Sequence, residues 1–148
     1  MRILLVSDSH GDFESLNNLL ILHPDCDYYF HLGDSCLPKY YMQSFLCVKG
    51  NCDFEDFDTF RDITINNIKF HLEHGDKIFK KIDNYIKDID CDVFLFGHTH
   101  CKLNTKINNK IVINPGSLKR PRDNTKGSYA IISFNSLKDI KCQFFYLK

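Results

Sequence analysis

The stretch RILLVSDSHG, residues 2–11, is an apolar run of strand type that stops abruptly at the polar cluster Asp8-Ser9-His10-Gly11. Four more clusters follow strand-like segments in the same way: Gly33-Asp34, Gly50-Asn51, His74-Gly75 and Gly97-His98-Thr99-His100. In an open α/β sheet, ligands bind outside the carboxyl ends of the strands, where side chains from distant parts of the chain converge. The sequence therefore predicts an α/β fold with one site assembled at the strand ends.

These five clusters carry the donor atoms of a metal centre. Together they supply two carboxylates, one amide and four imidazoles: Asp8, His10, Asp34, Asn51, His74, His98 and His100. Oxygen and nitrogen donors of this kind suit divalent manganese, iron, cobalt, nickel or zinc better than calcium or magnesium. His98 and His100 would share one face of an extended segment, which favours chelation from one side.

The order of these motifs, D-x-H, G-D, G-N, H-G and G-H-x-H, resembles that of the calcineurin-like metallophosphoesterase superfamily. The resemblance runs from Asp8 to Ser117. The short chain, with Gly-Asn-Cys-Asp at 50–53 and Asn-Pro-Gly-Ser at 114–117, is similar to the small YfcE-type phosphodiesterase branch. The resemblance implies a four-layer α/β/β/α sandwich of two mixed sheets, whereas the pattern alone predicts an α/β fold with an antiparallel tail.

The same resemblance implies a site with two divalent cations. Manganese is the preferred metal, with nickel, iron, cobalt and zinc as alternatives. Asp34 would bridge them, and a hydroxide between the ions would be the nucleophile. The first ion would take Asp8, His10, Asp34 and His100, and the second Asp34, Asn51, His74 and His98. Because fewer carboxylates surround the second ion, we expect it to bind more weakly. Asn51 is also predicted to contact the substrate and to act in catalysis.

Two positions depart from the family pattern. Many phosphomonoesterase relatives carry a histidine after the motif asparagine as a general acid, but here Cys52 follows, and a thiol is a weak hydrogen-bond donor. Losing a general acid costs about 10²–10⁴-fold in rate when the leaving group is poor, so a phosphodiesterase is favoured over a general phosphomonoesterase. Asp76 replaces another histidine. It either faces the cleft or caps a helix that begins near Lys77, and the cap is the preferred interpretation.

Residues near the C-terminal end of the motif series are candidates for substrate binding. Asn114 and Ser117 belong to a rigid turn beside the site, where they would contact a phosphate or the metal ligands. Arg120 and Arg122 either pair with phosphate as bidentate donors or form a solvated basic loop, and Arg122 is included in the predicted site. Three histidines are left out of the site: His23, His31 and His71.

Composition limits the function classes. A chain of 148 residues with 43% hydrophobic residues can bury one core, so we expect one domain spanning residues 1–148. A formal net charge of zero argues against a long nucleic acid partner. The sequence has no apolar run of about 18 residues, so we expect no membrane span. Seven cysteines, an odd number without a CxxC pair, suggest reduced thiols and a cytoplasmic location.

Hydrophobic periodicity predicts two helices. Asp12 would cap a helix with apolar positions Phe13, Leu16 and Leu19, ending at Pro24, and a second helical stripe spans residues 77–89. Asn66-Asn67 predicts a hairpin turn between strands 59–65 and 68–74. After the last motif histidine only strand-like segments follow: 101–107, 110–114, 128–135 and 140–147.

The leading functional hypothesis is a metal-dependent phosphodiesterase that acts on a small phosphodiester. The alternative is a non-catalytic scaffold of the same fold, similar to the metallophosphoesterase-like subunit of the retromer coat, in which metal ligands are altered. All seven donors are present here, which favours catalysis. A nuclease or cyclic-nucleotide phosphodiesterase is a third hypothesis, and thiol catalysis by Cys52 is disfavoured because no basic partner is assignable. The apolar last strand, Cys142–Leu147, suggests a homodimer.

Overall fold

The computed structural model describes all 148 residues and contains ten strands in two five-stranded sheets. Its two α-helices are α1 (Phe13–Leu22) and α2 (Ile82–Ile86), and short 3₁₀ turns span Lys39–Met42 and Leu137–Asp139. The strands are β1 (Arg2–Val6), β2 (Tyr28–His31), β3 (Leu46–Cys47), β4 (Phe60–Ile65), β5 (Ile68–Glu73), β6 (Val93–Leu95), β7 (Lys102–Ile107), β8 (Lys110–Pro115), β9 (Ser128–Ser133) and β10 (Lys141–Tyr146).

Both sheets mix parallel and antiparallel pairs. The first sheet has the order β10-β9-β1-β2-β3, in which β1, β2 and β3 are parallel and β9 runs antiparallel to both of its neighbours. The second sheet has the order β4-β5-β6-β8-β7, with parallel β5, β6 and β8 at its centre. The parallel strands therefore end at a common edge in each sheet, and the ends of β1, β2, β3, β5 and β6 carry the polar clusters.

Tight hairpins add the antiparallel strands of the second sheet. Asn66 and Asn67 have φ of 50° and 62°, and Asn108 and Asn109 have φ of 52° and 60°. Positive φ at both central residues is the signature of a two-residue turn whose twist matches that of the strands, and asparagine tolerates this conformation. The predicted hairpin at Asn66-Asn67 is confirmed.

Strand β1 shows why the fold has four layers, because both of its faces are buried. Ile3 and Leu5 face the core between the two sheets, whereas Leu4 and Val6 face the layer that contains α1. The core between the sheets includes Phe30 and Leu32 from the first sheet and Phe70, Leu72, Val93, Leu95 and Ile113 from the second. α2 covers the outer face of the second sheet. The predicted α/β/β/α sandwich is confirmed.

Helix α1 forms as predicted. The Asp12 side chain accepts a hydrogen bond from the backbone nitrogen of Ser15 at 3.1 Å, and Leu16 and Leu19 are buried. This cap satisfies one of the amide donors that the first helical turn leaves without an intrahelical partner. The helix ends at Leu22, before Pro24, as the sequence indicates.

The second helix is much shorter than the predicted 77–89. α2 covers only Ile82–Ile86, and its N-cap, Lys81, makes no side-chain hydrogen bond to the helix. Residues 77–81 are not helical: a turn covers Asp76 and Lys77, and the Ile78 nitrogen donates to the Gly75 oxygen at 3.2 Å. The apolar residues of the predicted stripe nevertheless pack on the second sheet. The interpretation of Asp76 as a helix cap is wrong, because no helix begins there.

No helix in the structure combines the length and the apolar character that a membrane crossing would need. All seven cysteines are free thiols.

Phe30 tests the importance of the core between the sheets, because its side chain is completely buried there. We expect Phe30→Ala to lower the free energy of unfolding by about 3–5 kcal/mol, since truncation loses burial and leaves a cavity. Urea denaturation followed by circular dichroism measures this. Phe79→Ala is the matched control, because Phe79 is 88% exposed and should change stability by less than about 0.5 kcal/mol. Equal losses in the two variants would contradict the core described above.

Candidate metal centre

Five loops converge at one rim of the sandwich and are joined by backbone hydrogen bonds. The Asp8 nitrogen donates to the Gly33 oxygen at 3.0 Å, which ties the loop after β1 to the loop after β2. The Gly97 nitrogen donates to the His74 oxygen at 2.9 Å, which ties the loop after β6 to the loop after β5. The sheets thus deliver donors from residues 8 to 100 to a single place.

Five of the donor residues adopt an uncommon backbone conformation. Asp8, His10, Asp34, His98 and His100 have φ of 54°, 43°, 57°, 66° and 60°. Residues other than glycine seldom occupy this left-handed region, and such strained positions cluster at functional sites. The surrounding hydrogen bonds and core must therefore hold these loops in place, so their shape is imposed by the fold.

Asp8 is fully buried and lies among the histidines. Its Oδ1 atom is 3.1 Å from Nε2 of His100, 3.8 Å from Nε2 of His74 and 3.9 Å from Nε2 of His10. Its Oδ2 atom accepts a hydrogen bond from the Ser7 hydroxyl at 2.5 Å. One carboxylate oxygen is therefore fixed by the protein, and the other points toward three imidazole nitrogens.

The remaining donors meet at His74. Its Nε2 atom is 3.3 Å from Asp34 Oδ2, 3.0 Å from Asn51 Oδ1 and 3.3 Å from His98 Nδ1. The other oxygen of Asp34 accepts a hydrogen bond from the Cys52 nitrogen at 2.8 Å. The structure thus brings all seven predicted donors into one cluster.

The acids and histidines of this cluster form two candidate cation groups, in each of which the donor atoms lie within 4.8 Å of one another. One group contains Asp8, His10 and His100, and the other contains Asp8, Asp34 and His74. Asp8 therefore belongs to both groups, whereas Asp34 was expected to be shared. Asp34 turns its Oδ2 atom toward His74, so a bridging role for Asp34 stays a prediction.

Backbone carbonyls orient two of the imidazoles. Nδ1 of His74 lies 2.7 Å from the Leu32 oxygen, and Nδ1 of His100 lies 2.6 Å from the Arg120 oxygen. A carbonyl oxygen can only accept, so each Nδ1 carries the proton and Nε2 is directed to the cluster, as is typical of metal-binding histidines.

One buried atom indicates directly that the donor set fits a cation. Nε2 of His10 has no hydrogen-bond partner, although it is buried beside Asp8. A buried polar atom without a partner costs roughly 1–3 kcal/mol, and a divalent cation would supply one. Together with the nitrogen and oxygen chemistry of the cluster, this makes the residues suitable for divalent transition metals.

Close backbone approach explains two glycines. A Cβ atom at Gly50 would overlap the Asp34 carboxylate, and one at Gly33 would lie 2.7 Å from Nδ1 of His74. Gly33 also has φ of +99°, a conformation that side chains other than hydrogen resist. Both glycines are therefore required by the packing of the donors themselves.

Asp34 and His74 form an ion pair within the cluster. Burial opposes the charge on Asp34, but hydrogen bonds from His74 and the Cys52 nitrogen outweigh it and hold its pKa at about 2. Burial also disfavours the charged form of His74, yet its hydrogen bond with Asp34 and the nearby charge of Asp8 raise its pKa to about 9. A proton on His74 must therefore be displaced when a cation binds near neutral pH.

The predicted substrate residues Asn114 and Ser117 lie behind the donors. Asn114 is fully buried. Its side-chain Nδ2 donates to the Gly97 oxygen at 2.9 Å, and its Oδ1 accepts from the Gly116 nitrogen at 2.9 Å. The Ser117 hydroxyl donates to the Asp8 backbone oxygen at 2.8 Å. These contacts brace the loops that carry the donors. A direct contact of either side chain with substrate stays a prediction.

The two arginines remain at the surface. Arg122 is exposed, and its backbone nitrogen donates to the His100 oxygen at 2.9 Å. Arg120 is also exposed, and its charge lies close enough to contribute, after burial, to lowering the pKa of His10. Both positions border the cluster, and phosphate binding by either arginine stays a prediction.

Cys52 lies at the edge of the cluster and is exposed. Its sulfur is 3.7 Å from Nδ2 of Asn51. Partial burial and the neighbouring Asp34 carboxylate raise the pKa of the Cys52 thiol. An activated thiol nucleophile has a lowered pKa instead, so the surroundings of Cys52 do not favour thiol catalysis.

A cavity of about 660 Å³ adjoins the cluster at Gly50 and Asn51. It runs along the start of β4 and the end of β5 to α2, and Asp76 is part of its wall. Of the two readings of Asp76, the structure supports the one in which it faces a cleft. The complete lining is Lys49, Gly50, Asn51, Asp53, Thr59, Phe60, His71, Glu73, Asp76, Lys77, Tyr85 and Ile89.

Two histidines outside the motifs have a defined place near the site. His31 is fully buried, with Nε2 2.8 Å from the Ser9 hydroxyl, and burial lowers its pKa to about 4. His71 lies between carboxylates, 2.7 Å from Asp62 and 3.0 Å from Glu73. The predicted shared face of His71 and Glu73 is confirmed. The sequence offers one signal for the position of His31: it lies three residues before Asp34, at the end of the strand that leads to the donor loop.

Comparison with known proteins gives a family match over the part of the chain that carries the motifs. Residues 1–137 match the family described as the calcineurin-like phosphoesterase superfamily domain. A probable metallophosphoesterase of Bacillus subtilis is 32% identical over 145 residues, which cover 92% of this chain and 86% of the relative. A phosphodiesterase of Methanocaldococcus jannaschii is 28% identical over 106 residues, covering 71% of this chain and 57% of the relative.

Solved structures share the fold over nearly the whole chain. A predicted phosphoesterase of Streptococcus pneumoniae superposes with a TM-score of 0.86 at 26% identity, covering 98% of this chain and 88% of the other. Vps29 of Entamoeba histolytica, complexed with zinc, has a TM-score of 0.76 at 22% identity and 98% coverage of both chains. The E. coli phosphoesterase YfcE has a TM-score of 0.72 at 20% identity and covers both chains completely.

The proton on His74 makes cation binding depend on pH. Because its pKa is raised to about 9, His74 is protonated at pH 7 and loses its proton when Mn²⁺ binds. The apparent Mn²⁺ affinity should rise by about tenfold per pH unit between pH 6.5 and 8.5, with about one proton released at pH 7. Titration calorimetry in buffers of different ionisation enthalpy measures both quantities.

His23→Gln is the control, because His23 contacts Tyr129, away from the cluster, and should leave the released proton unchanged. An affinity that is independent of pH across this range would contradict the described Asp34–His74 pair.

Proposed function

The chain belongs to the calcineurin-like phosphoesterase superfamily, and from this premise we infer that it is a metal-dependent hydrolase of small phosphodiesters. The observation that supports this most strongly is the convergence of seven nitrogen and oxygen donors around Asp8 and His74. A phosphate ester carries negative charge that a cationic centre attracts. The name of the phosphodiesterase relative from M. jannaschii agrees with this substrate class.

We assign two cation sites to the cluster, with Asp34 shared between them. The first takes Asp8, His10, Asp34 and His100, and the second takes Asp34, Asn51, His74 and His98. When bound, such a pair of cations neutralises the phosphate and lowers the pKa of the water that attacks phosphorus. Manganese is the proposed metal, and the zinc complex of Vps29 supports a divalent cation in this fold. The second site has fewer carboxylates and should bind more weakly.

The chain's own residues have separate tasks. Asn51 offers its amide oxygen to the second cation site and its amide N–H₂ to a phosphate oxygen, which makes it both a ligand and a catalytic contact. Arg122, at the rim, would clamp a second phosphate oxygen. Asn114 and Ser117 act mainly as positioning residues, because their hydrogen bonds hold the loops of His98 and Asp8.

The preference for diesters rests on Cys52. This residue lies beside Asn51 and Asp34, where a leaving-group oxygen would need a proton. A thiol with a raised pKa is a poor proton donor at neutral pH, so alkoxide leaving groups receive little help. A diester carries one negative charge fewer than a monoester dianion, so the reaction depends less on a general acid.

The second candidate function is a non-catalytic scaffold, which the fold shared with Vps29 favours. The complete donor set argues for catalysis instead.

We further propose a cytoplasmic protein, because seven thiols are unpaired. We also propose a homodimer formed through β10, because β10 is an edge strand of the first sheet. Phe144 and Cys142 of β10 pack against the core between the sheets, so the dimer would form through the backbone edge of this strand.

Hydrolysis of bis(p-nitrophenyl) phosphate by the Mn²⁺-loaded protein tests the proposed activity. We expect turnover with Mn²⁺ that is lost with a chelator, and Asp34→Asn should lower kcat by about 100-fold or more, because a ligand charge is removed. Asp88→Asn, an exposed substitution, should leave kcat unchanged. Bound metal without any turnover would contradict the proposal and favour the scaffold.

Replacement of Cys52 tests the reason given for the diester preference. Cys52→His should raise kcat/KM for β-glycerophosphate, an alkyl monoester, by about tenfold or more, because imidazole supplies the missing proton donor. Activity toward bis(p-nitrophenyl) phosphate should change little. Cys52→Ser is the control that removes the thiol without adding an acid. If the histidine variant gains nothing beyond the serine variant, a missing general acid does not explain the preference.

A further inference from the structure

The cavity next to the cluster is lined, apart from Asn51, by residues without an assigned role in the proposed reaction. It meets the donors at Gly50 and Asn51 and has a volume of about 660 Å³. Sites for small organic molecules usually occupy about 300–1,000 Å³. A phosphate held by Asn51 would therefore lie at the entrance of a space large enough for an organic substituent.

The lining of this cavity includes the aromatic ring of Phe60. Phe60 stacks on His71 with ring centroids 5.6 Å apart and planes inclined by 19°, and His71 stacks in turn on Phe94 at 5.3 Å and 12°. Phe60 is nevertheless 54% exposed. His71 covers one face of the Phe60 ring, so the exposure of Phe60 leaves the opposite face as the one on which another ring could stack.

The lining also presents fixed hydrogen-bond acceptors. The Tyr85 hydroxyl donates to Glu73 Oε2 at 2.8 Å, and Nε2 of His71 lies 3.0 Å from Glu73 Oε1. Glu73 is only 8% exposed, so its carboxylate is held in one position. Each of its oxygens has one partner and retains capacity for another donor, and the Tyr85 oxygen can also accept.

The cavity is lined by charges of both signs, with two lysines and three carboxylates. Lys49 and Lys77 line it together with Asp53, Asp76 and Glu73. Asp53 is already occupied by the backbone nitrogens of Asp34, Gly50 and Cys36. Such a lining favours a group that is polar but carries no net charge, since either sign would meet like charges at close range.

We propose that this cavity binds the organic group on the non-scissile ester of the substrate, and that this group is an uncharged flat ring with hydrogen-bond donors on its edge. The ring would stack on Phe60, and its donors would meet Glu73 and Tyr85. This inference rests on the proposed phosphodiesterase function. In the reaction, an oxygen of water bonds to phosphorus, the bond to the other alcohol breaks, and that alcohol leaves with a proton from the water. The ring-bearing ester bond stays intact.

Three diesters with the same p-nitrophenolate leaving group test the cavity with the Mn²⁺-loaded protein. They are methyl p-nitrophenyl phosphate, bis(p-nitrophenyl) phosphate and thymidine 5′-(p-nitrophenyl phosphate). Their non-leaving ester groups are, in that order, a methyl group, a ring without hydrogen-bond donors, and a nucleoside whose base has an N–H donor. We expect KM to fall in that order. Equal KM values for the two ring-bearing diesters would overturn the role given to the acceptors of Glu73 and Tyr85.

Phe60→Ala tests the stacking face. It should raise KM for the two ring-bearing diesters by about three- to tenfold, with kcat unchanged, and leave the methyl diester unaffected. Phe54→Ala is the matched control, because Phe54 is 65% exposed and does not line the cavity. If Phe60→Ala raises KM equally for all three diesters, the cavity does not bind the ring.

A binding measurement separates this inference from the proposed activity. Phenylphosphonate should bind the Mn²⁺-loaded protein more tightly than methylphosphonate, and Phe60→Ala should remove the difference. That result would support ring binding by the cavity even if no diester were hydrolysed. In that case the proposed activity would be wrong, but the proposed ring site would stand. Turnover of all three diesters with equal KM, together with equal binding of the two phosphonates, would overturn the cavity proposal and leave the activity standing.

Discussion

Two buried carboxylates, Asp8 and Asp34, approach the same imidazole nitrogen, and this close placement of like charges governs the rest of the site. Their oxygens lie 3.8 and 3.3 Å from Nε2 of His74. Burying negative charges together is unfavourable unless positive charge lies between them. The raised pKa of His74 favours a proton on its ring that would fill that role, and divalent cations would fill it more completely. The site is therefore built to attract cations before it can act on a phosphate.

The fold supplies the rigidity that such a cluster needs. Two sheets pack face to face around a fully buried core, and their parallel strands end at one rim. Left-handed backbone conformations at five donors store strain that the loops alone could not maintain. Backbone hydrogen bonds between loops, the braces from Asn114 and Ser117, and the close approaches at Gly33 and Gly50 hold these donors in position.

The sequence predicted the seven residues that the structure brings together, because each follows an apolar strand and strand ends are where such sheets bind ligands. The sandwich came from family resemblance, since periodicity does not show how two sheets pack. The 77–89 stripe misled because its apolar spacing reflects packing on the second sheet, whereas no side chain caps a helix at residue 76 or 81. The aromatic cavity could not be foreseen, because Phe60, His71 and Tyr85 come from three different elements that meet only in the folded chain.

Anomalous diffraction from crystals grown with Mn²⁺ would test the central claim most directly, because it locates each cation beside its ligands. We expect two peaks about 3.5–4 Å apart, with Asp34 touching both ions, Asp8, His10 and His100 at one, and Asn51, His74 and His98 at the other. A single peak, or two ions joined only through Asp8 with Asp34 still bonded to His74, would contradict the dinuclear centre proposed for this chain.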